Sequence, residues 1–259
     1  MSQSVVSEDA AGVVVECAVA GGVGSGWFRL VAGVPGWVPV APAGFVTVTG
    51  LGSGGFFMGK YEVQWGEFQT VRSYGASHGY DIGGTGVGSG NNYPVNAVSW
   101  YEAVKWCNAR SEMEGLTPVY RVGGEVYRSG ESVPTVNGGT GYRLPSEAEW
   151  VYAASGGALT HGYLYSGSND ANAVAWYSGN SGGATHGVGA KLGNELGIFD
   201  MSGNVWEWCF DSHVGYTAAD RVYRGGGWND NVQITFRNSY VPAYSYDNLG
   251  FRVVRSFGL

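Results

Sequence analysis

A loop-rich mixed fold, short strands and a few capped helices around one core, is the class this sequence predicts. Three observations lead there. The 46 glycines among 259 residues make much of the chain turn and loop. Apolar residues at 44% and aromatics at 14% are enough for a substantial core. Helix-start signals stand out only twice, between stretches that alternate as strands do. At this length, one domain preceded by an N-terminal extension is the expected arrangement.

Taken in order, residues 1–37 are rich in Val, Ala and Gly, with candidate strands at 13–15 and 27–31, and read as an extension packing on the main domain. The domain proper, 38–259, opens on alternating residues at 38–40 and 45–48. Residues 57–63 lead from a strand into a short helix near 64–71. After a Gly-rich loop at 75–92, Ser99 and Glu102 form a capping box. The serine oxygen accepts the exposed amide three residues on, and the glutamate reaches back to the serine amide. Trp100, Ala103, Val104 and Cys107 then recur at helical spacing and give one apolar face. Gly-Gly-Glu-Val-Tyr-Arg within 123–139 predicts a hairpin. Ser146 and Glu149 repeat the capping box and open a helix through Trp150, Val151, Ala153 and Ala154, stopped by Gly156 and Gly157. A long loop runs to Asn194, broken by a short strand at 173–177, and loops of that length are functional or held by something. Strands at 221–224 and 250–255 close the chain.

A formal net charge of −7 with no Lys or Arg run argues against nucleic acid and against anionic membrane. The first residues have neither the basic start nor the apolar core of a signal peptide, and no apolar run is long enough to insert in a membrane. Proteins, glycans or small molecules are the ligand classes that remain. Cys17, Cys107 and Cys209 form no short-spaced pair, so there is no zinc knuckle or redox CxxC motif, while one disulfide among the three stays open. Ser99 and Ser146 have capping roles and no activating partner in a motif, which leaves a serine hydrolase unsupported.

The most informative stretch lies between Arg224-Gly-Gly-Gly-Trp228 and Asn248-Leu-Gly-Phe-Arg252. It has neither the alternation of a strand nor the period of a helix, and a segment without a packing pattern reads as a surface. Its tyrosines, asparagines and small residues match the composition of antibody-like paratopes, in which Tyr offers contact area at low entropy cost. The alternative places those tyrosines in the core, but Tyr244-Ser-Tyr246-Asp247 after Pro242 would be a poor core run. Arg224 and Arg252 read as braces for loop carbonyls.

Met58-Gly-Lys-Tyr-Glu-Val63, Pro94-Val-Asn-Ala-Val-Ser-Trp100, Tyr142-Arg-Leu-Pro-Ser-Glu-Ala-Glu-Trp150, Gly203-Asn-Val-Trp-Glu-Trp208 and the two frames just named occur in the order found in the formylglycine-generating-enzyme or sulfatase-modifying-factor family, which the chain resembles. The resemblance implies that family's α+β, C-type-lectin-like fold, with little regular secondary structure and long ordered loops. The oxidising enzymes of the family bind copper through a cysteine pair between the two frames, and thiolates suit soft Cu(I). No cysteine stands there in this chain. Iron-dependent relatives need a histidine cluster, whereas His78, His161, His186 and His213 are scattered. A third branch, the variable proteins of diversity-generating retroelements, keeps the scaffold without the chemistry. Template adenines there turn AAY codons into any NNY codon, which excludes Met, Trp, Gln, Glu and Lys. From 229 to 248 only Gln233 falls outside the allowed set.

The resemblance to that branch implies a non-enzymatic, ligand-binding protein at the cell surface or outside the cell, with a variable region over about 223–248. Its side chains would be Tyr223, Gly227, Asn229, Asp230, Asn231, Ile234, Thr235, Phe236, Tyr240, Val241, Ala243, Tyr244, Tyr246 and Asp247. The alternative is an oxygen-dependent modifying enzyme whose catalytic residues have moved. No cofactor is required. The resemblance also implies calcium at Asn204 and Glu207, set against the reading that both hydrogen-bond loop backbone.

Overall fold

The computed structural model describes residues 3–9, 12–17, 28–31, 39–51, 54–213 and 219–257, the first three stretches as backbone. β1 (Gln3–Asp9), β2 (Gly12–Cys17) and β3 (Phe28–Val31) pair in order as an antiparallel sheet, where alternation had placed two strands. The expected packing of residues 1–37 on the domain lies outside the described residues.

β4 (Phe45–Leu51) and β5 (Gly54–Gly59) form a hairpin, and the chain then enters α1 (Trp65–Ser77) and α2 (Trp100–Met113). Both halves of the Ser99 capping box form: Glu102 N donates to Ser99 Oγ at 3.2 Å and Ser99 N to Glu102 Oε2 at 2.8 Å. More than one face of α2 is buried. Lys105, Asn108 and Ser111 are enclosed along with Trp100, Val104 and Cys107, because Asn108 bonds to the backbone of Tyr120 and Tyr127. Ser99→Ala is expected to lower stability by about 1–2 kcal/mol in a urea titration, since it leaves a buried helix-end amide without its acceptor.

β6 (Tyr120–Val122), β7 (Glu125–Val126) and β8 (Thr135–Val136) make a small sheet, its hairpin turning through Gly123 and Gly124. Both glycines have positive φ, as a two-residue turn between right-twisted strands requires. β9 (Tyr142–Arg143) precedes α3 (Glu147–Ala154), whose Ser146 capping box also forms. The stretch expected as a strand at 173–177 is instead the short helix α4 (Ala171–Val174) followed by a lone bridge from Trp176 to Gly203. Asp170, whose side chain accepts from Asn172 N, caps this turn. The long loop around it is held from inside by Asn194, which donates to Ala153 O and accepts from the amides of Leu196 and Ile198.

The last third of the chain supplies β10 (Trp206–Ser212), β11 (Arg221–Arg224), β12 (Arg237–Tyr240), β13 (Leu249–Gly250) and β14 (Val254–Ser256). The strand expected at 250–255 is thus two strands in different sheets. β14 joins β4, β5 and β9 in the order β4-β5-β14-β9, while β13 lies parallel to β10 at the end of a sheet ordered β12-β11-β10-β13. No helix among the described residues is long and apolar enough to cross a membrane.

Candidate ligand-binding surface

Alternation along a strand decides what the β12-β11-β10-β13 sheet offers to each side. Trp208 pairs with Tyr223, and Tyr223 with Asn238, so these three share a face with Trp206 and Tyr240. Glu207 pairs with Arg224, and Arg224 with Arg237, on the opposite face. Behind that second face lies α3, where Trp150, Cys209, Val222 and Ile234 belong to one buried cluster.

The hidden face carries the anchors. Glu147, in the first turn of α3, accepts from Arg224 Nε at 2.8 Å and from Arg237 Nε at 2.5 Å. Arg224 Nη1 also donates to the carbonyls of Ile234, Thr235 and Phe236, the bracing expected of it. Arg252 and Glu207 are fully buried and paired twofold, at 2.6 and 2.7 Å, and Arg252 further donates to Gly59 O and Phe199 O. Both arginines therefore belong to the scaffold. Backbone bonds fasten the far end of the segment: Trp100 N donates to Pro242 O and Ala97 N to Tyr246 O.

With its backbone tied, the segment sorts its side chains by depth. Asn229, Asn231, Thr235, Tyr240, Val241, Ala243, Tyr246 and Asp247 are exposed, with Tyr240 and Tyr246 at 49% and Val241 at 43%. Phe236, Asp230 and Tyr244 are half-buried. Three expected contact residues are corrected. Ile234, only 7% exposed, turns inward and packs into the α3 cluster, while Val232 turns inward to a separate cluster with Val174 and Ala175. At Gly227 a Cβ would lie 2.9 Å from Asn248 Cβ, so a side chain there would push the closing frame aside. Gly226 next to it has φ +76°, and its Cβ would meet Asn231 O at 2.5 Å. Tyr223 is 8% exposed and forms a floor, standing edge-on to Trp206 and Trp208 at 5.1 and 5.2 Å. Asp230 is less adaptable than expected, since its Oδ2 accepts from Trp206 Nε1, Gly227 N and Asn248 Nδ2.

Between these residues opens a cleft of about 200 Å³, lined by Trp206, Tyr223, Asn229, Asp230, Asn238, Tyr244, Tyr246, Asn248 and Leu249. Four of these, Trp206, Asn238, Asn248 and Leu249, are not among the expected contact residues, and two of them, Asn238 and Trp206, come from strands β12 and β10. Their signal is the register that places both on the face of Tyr223, which no single-strand pattern reveals. A larger cleft of about 280 Å³ beside Phe45, Tyr61 and Glu67 is far less open chemically, its Arg110 already pairing with Glu67 and Glu114 and covering Tyr142.

The residues expected to hold calcium do not fit it. Asn204 Oδ1 accepts from His186 N at 2.9 Å, and its amide donates to Glu62 Oε2 and His186 O. Both Glu207 oxygens are held by Arg252, and Oε2 also accepts from Trp150 Nε1. Both side chains are thus taken up by internal hydrogen bonds, and among the described residues no group of three His, Cys, Asp or Glu is placed for a metal. Beside them, Asp200 is buried with Oδ1 unpartnered. Burial pushes its carboxyl up to about 6, with Glu207 adding to the rise and Gly189 N–H and Arg252 opposing it. A folded value above the unfolded one means stability is complete below about pH 4 and lost as pH rises through 6. In chelator-containing buffer, Asp200→Asn is expected to raise stability at pH 7 by about 2–3 kcal/mol and to flatten the dependence between pH 4 and 6.

The sequence profile of the Sulfatase-modifying factor enzyme 1-like domain matches residues 46–257. "Chaperone protein LppX" of Paenibacillus barcinonensis is 38% identical over 234 residues, covering 78% of this chain and 80% of that protein. Among solved structures, one titled "Crystal Structure of CarF" superposes with a TM-score of 0.75 at 27% identity, over 84% of this chain and all of that one. "Treponema denticola variable protein 1" superposes at 0.66, also 27% identical, over 93% and 98%. The fold is accordingly of the formylglycine-generating-enzyme type, mixed α+β with little regular secondary structure. Domain profile, motif order and architecture agree: the chain belongs to the sulfatase-modifying factor enzyme 1-like family.

Proposed function

We propose that this protein is a non-catalytic ligand binder whose segment at about 223–248 is a diversified surface, displayed at the cell surface or outside the cell. One observation carries it: the segment's backbone is tied to the scaffold at both ends while most of its side chains stand free. Binding to such a surface avoids the entropy cost of ordering a loose loop. The likeness to a variable protein at 27% identity supports the same reading. Against the alternative of an oxygen-dependent modifying enzyme, Cys107 and Cys209 are buried, and burial raises both thiols above their ordinary range, unlike the thiolates copper requires.

Replacing Tyr240, Tyr244 and Tyr246 together by alanine tests it. Tyr240 packs against Tyr244 at 4.3 Å with the rings tilted by 51°, and Tyr244 stacks on Tyr246 at 5.9 Å, so the three form one outer aromatic ridge. Array hits for glycans or peptides obtained with the wild type should vanish in the variant, while its melting temperature falls by only a few degrees. Loss of the cooperative melting transition would show that the ridge is core.

The 38% identical chaperone favours a second reading, in which the same ridge holds a partly unfolded protein. Suppression of light scattering from a heat-unfolded protein by the wild type but not the triple variant would select it.

A further inference from the structure

We propose that the cleft over Trp206 binds one neutral sugar residue, a pyranose at the end of a glycan, through the side-chain amides of Asn229 and Asn238 and the carboxylate of Asp230. The inference rests on the segment being a binding surface and names the ligand class that surface takes.

The cleft is polar where it is open. Tyr223 stands edge-on to Trp206 at 5.1 Å, and Phe236 stacks across it at 6.3 Å, so the indole is covered and serves as a floor. What remains to meet a ligand is mostly amide, carboxylate and hydroxyl, without Lys, Arg or His.

Two of the amides are oriented by their own oxygens. Asn229 Oδ1 accepts from Asn248 Nδ2 at 2.6 Å, and Asn238 Oδ1 accepts from Ser239 N at 2.8 Å. Each bond fixes which end of the amide is oxygen and turns the NH2 end away from it. Neither NH2 group donates to any described residue. Asp230 is half used in the same way. Its Oδ2 accepts from Trp206 Nε1, Gly227 N and Asn248 Nδ2, while its Oδ1 accepts nothing from the described residues. The Tyr223 and Tyr244 hydroxyls also lack partners there, and neither they nor Asp230 Oδ1 are sealed from solvent. One cleft thus offers unused donors and unused acceptors, on side chains that the chain itself holds in place. Binding to groups already oriented avoids the cost of ordering them.

A ligand that satisfies this set must donate and accept from neighbouring atoms. Vicinal ring hydroxyls do so: each oxygen can accept from an amide NH2 while its proton goes to a carboxylate oxygen. Other chemistries fit less well. An anion would face Asp230 with no cation to receive it, and a cation would meet two NH2 donors and a covered indole. An apolar group would strip water from the amides and the carboxylate without replacing its bonds. A peptide adding to the edge strand β12 would find the Ser239 amide already taken by Asn238. The volume of about 200 Å³ lies below the several hundred typical of pockets for drug-sized molecules, so the cleft holds a single residue of a chain.

The test is ligand-observed NMR titration of the full chain with the methyl glycosides of glucose, galactose, mannose and N-acetylglucosamine. Saturable binding of at least one is expected. In the double variant Asn229→Ala/Asn238→Ala that affinity should fall at least about tenfold, the loss of two hydrogen bonds, with the melting temperature within a few degrees of wild type. On the wild type, which needs no substitution to fold, replacing ring hydroxyls of the bound glycoside one at a time by hydrogen should cost a similar factor at one position or more. A smaller loss in the double variant, or equal binding of every deoxy form, places the sugar elsewhere and overturns the assignment. Failure of all four glycosides while array hits of either kind still depend on the tyrosine ridge overturns the sugar site yet leaves the binding surface standing. Failure of all four together with no array hits removes the binding-surface reading as well.

Discussion

Arg252→Leu is expected to remove about 3–5 kcal/mol of stability, enough to leave little folded protein at growth temperature. Arg252 faces three buried carboxylates, Glu62, Asp200 and Glu207. It pairs with Glu207 directly, and its charge acts on Glu62 and Asp200, both already pushed upward, mainly by burial. Leucine would fill most of the space but leave the Glu207 carboxyl buried without its cation, and strip donors from Gly59 O and Phe199 O. The deficit should shrink in acid. Without the guanidinium, Glu62 and Asp200 lose the charge that opposes their rise, so folded values above the unfolded ones give relative stability below pH 4 that is lost as pH rises. Urea melts of wild type and variant at pH 5 and pH 7.5 check both points. A loss below 1 kcal/mol would mean the pair is dispensable to the frame.

Glu147→Ala should act on the binding segment rather than on the core. It frees Arg224 and Arg237 together, and with them the clamp on the carbonyls from Ile234 to Phe236. The expected cost is about 1–3 kcal/mol. Hydrogen exchange should rise over residues 233–240 while α2 is unchanged, and ligand affinity should fall because binding must then order the segment. In the wild type, burial would raise the Glu147 carboxyl, but the Arg237 bonds and Arg224 charge outweigh it and hold it below 4.5. A depressed folded value gives stability that is present above the ordinary range and lost as pH falls through the folded one. The clamp should therefore loosen in acid, and unchanged exchange in Glu147→Ala would show that it is not the anchor.

Much of the frame is legible from residues alone, for local physical reasons. Ser99 with Glu102 and Ser146 with Glu149 announce helices because a capping box is completed within four residues. Gly123-Gly124 announces a hairpin because few other residues take that turn. Arg224 and Arg252 stand out beside glycines, and both turn out to brace carbonyls. The site is less legible because it depends on partners distant in sequence. Tyr223, Asn238 and Trp206 share a face only through the registers of β10, β11 and β12. β12 itself, Arg-Asn-Ser-Tyr at a sheet edge, has no apolar alternation to reveal it. Ile234 looks like its exposed neighbours until Val222 and Trp150 are seen beneath it. Glu207 looks like a hard metal ligand until Arg252, 45 residues on, takes both its oxygens.

Whether a fixed backbone displays changeable side chains is decided by sequencing the DNA around the gene. The target is a second near-copy of the codons for residues 223–255 beside a reverse-transcriptase gene. Mismatches should fall only where the second copy has adenine, concentrated at the codons of Asn229, Asn231, Thr235, Tyr240, Val241, Ala243, Tyr246 and Asp247 and at the half-buried Tyr244. Gly227, Ile234 and Asn248, which hold the frame, should match. Absence of any such copy, or mismatches falling on those three buried positions, would contradict it.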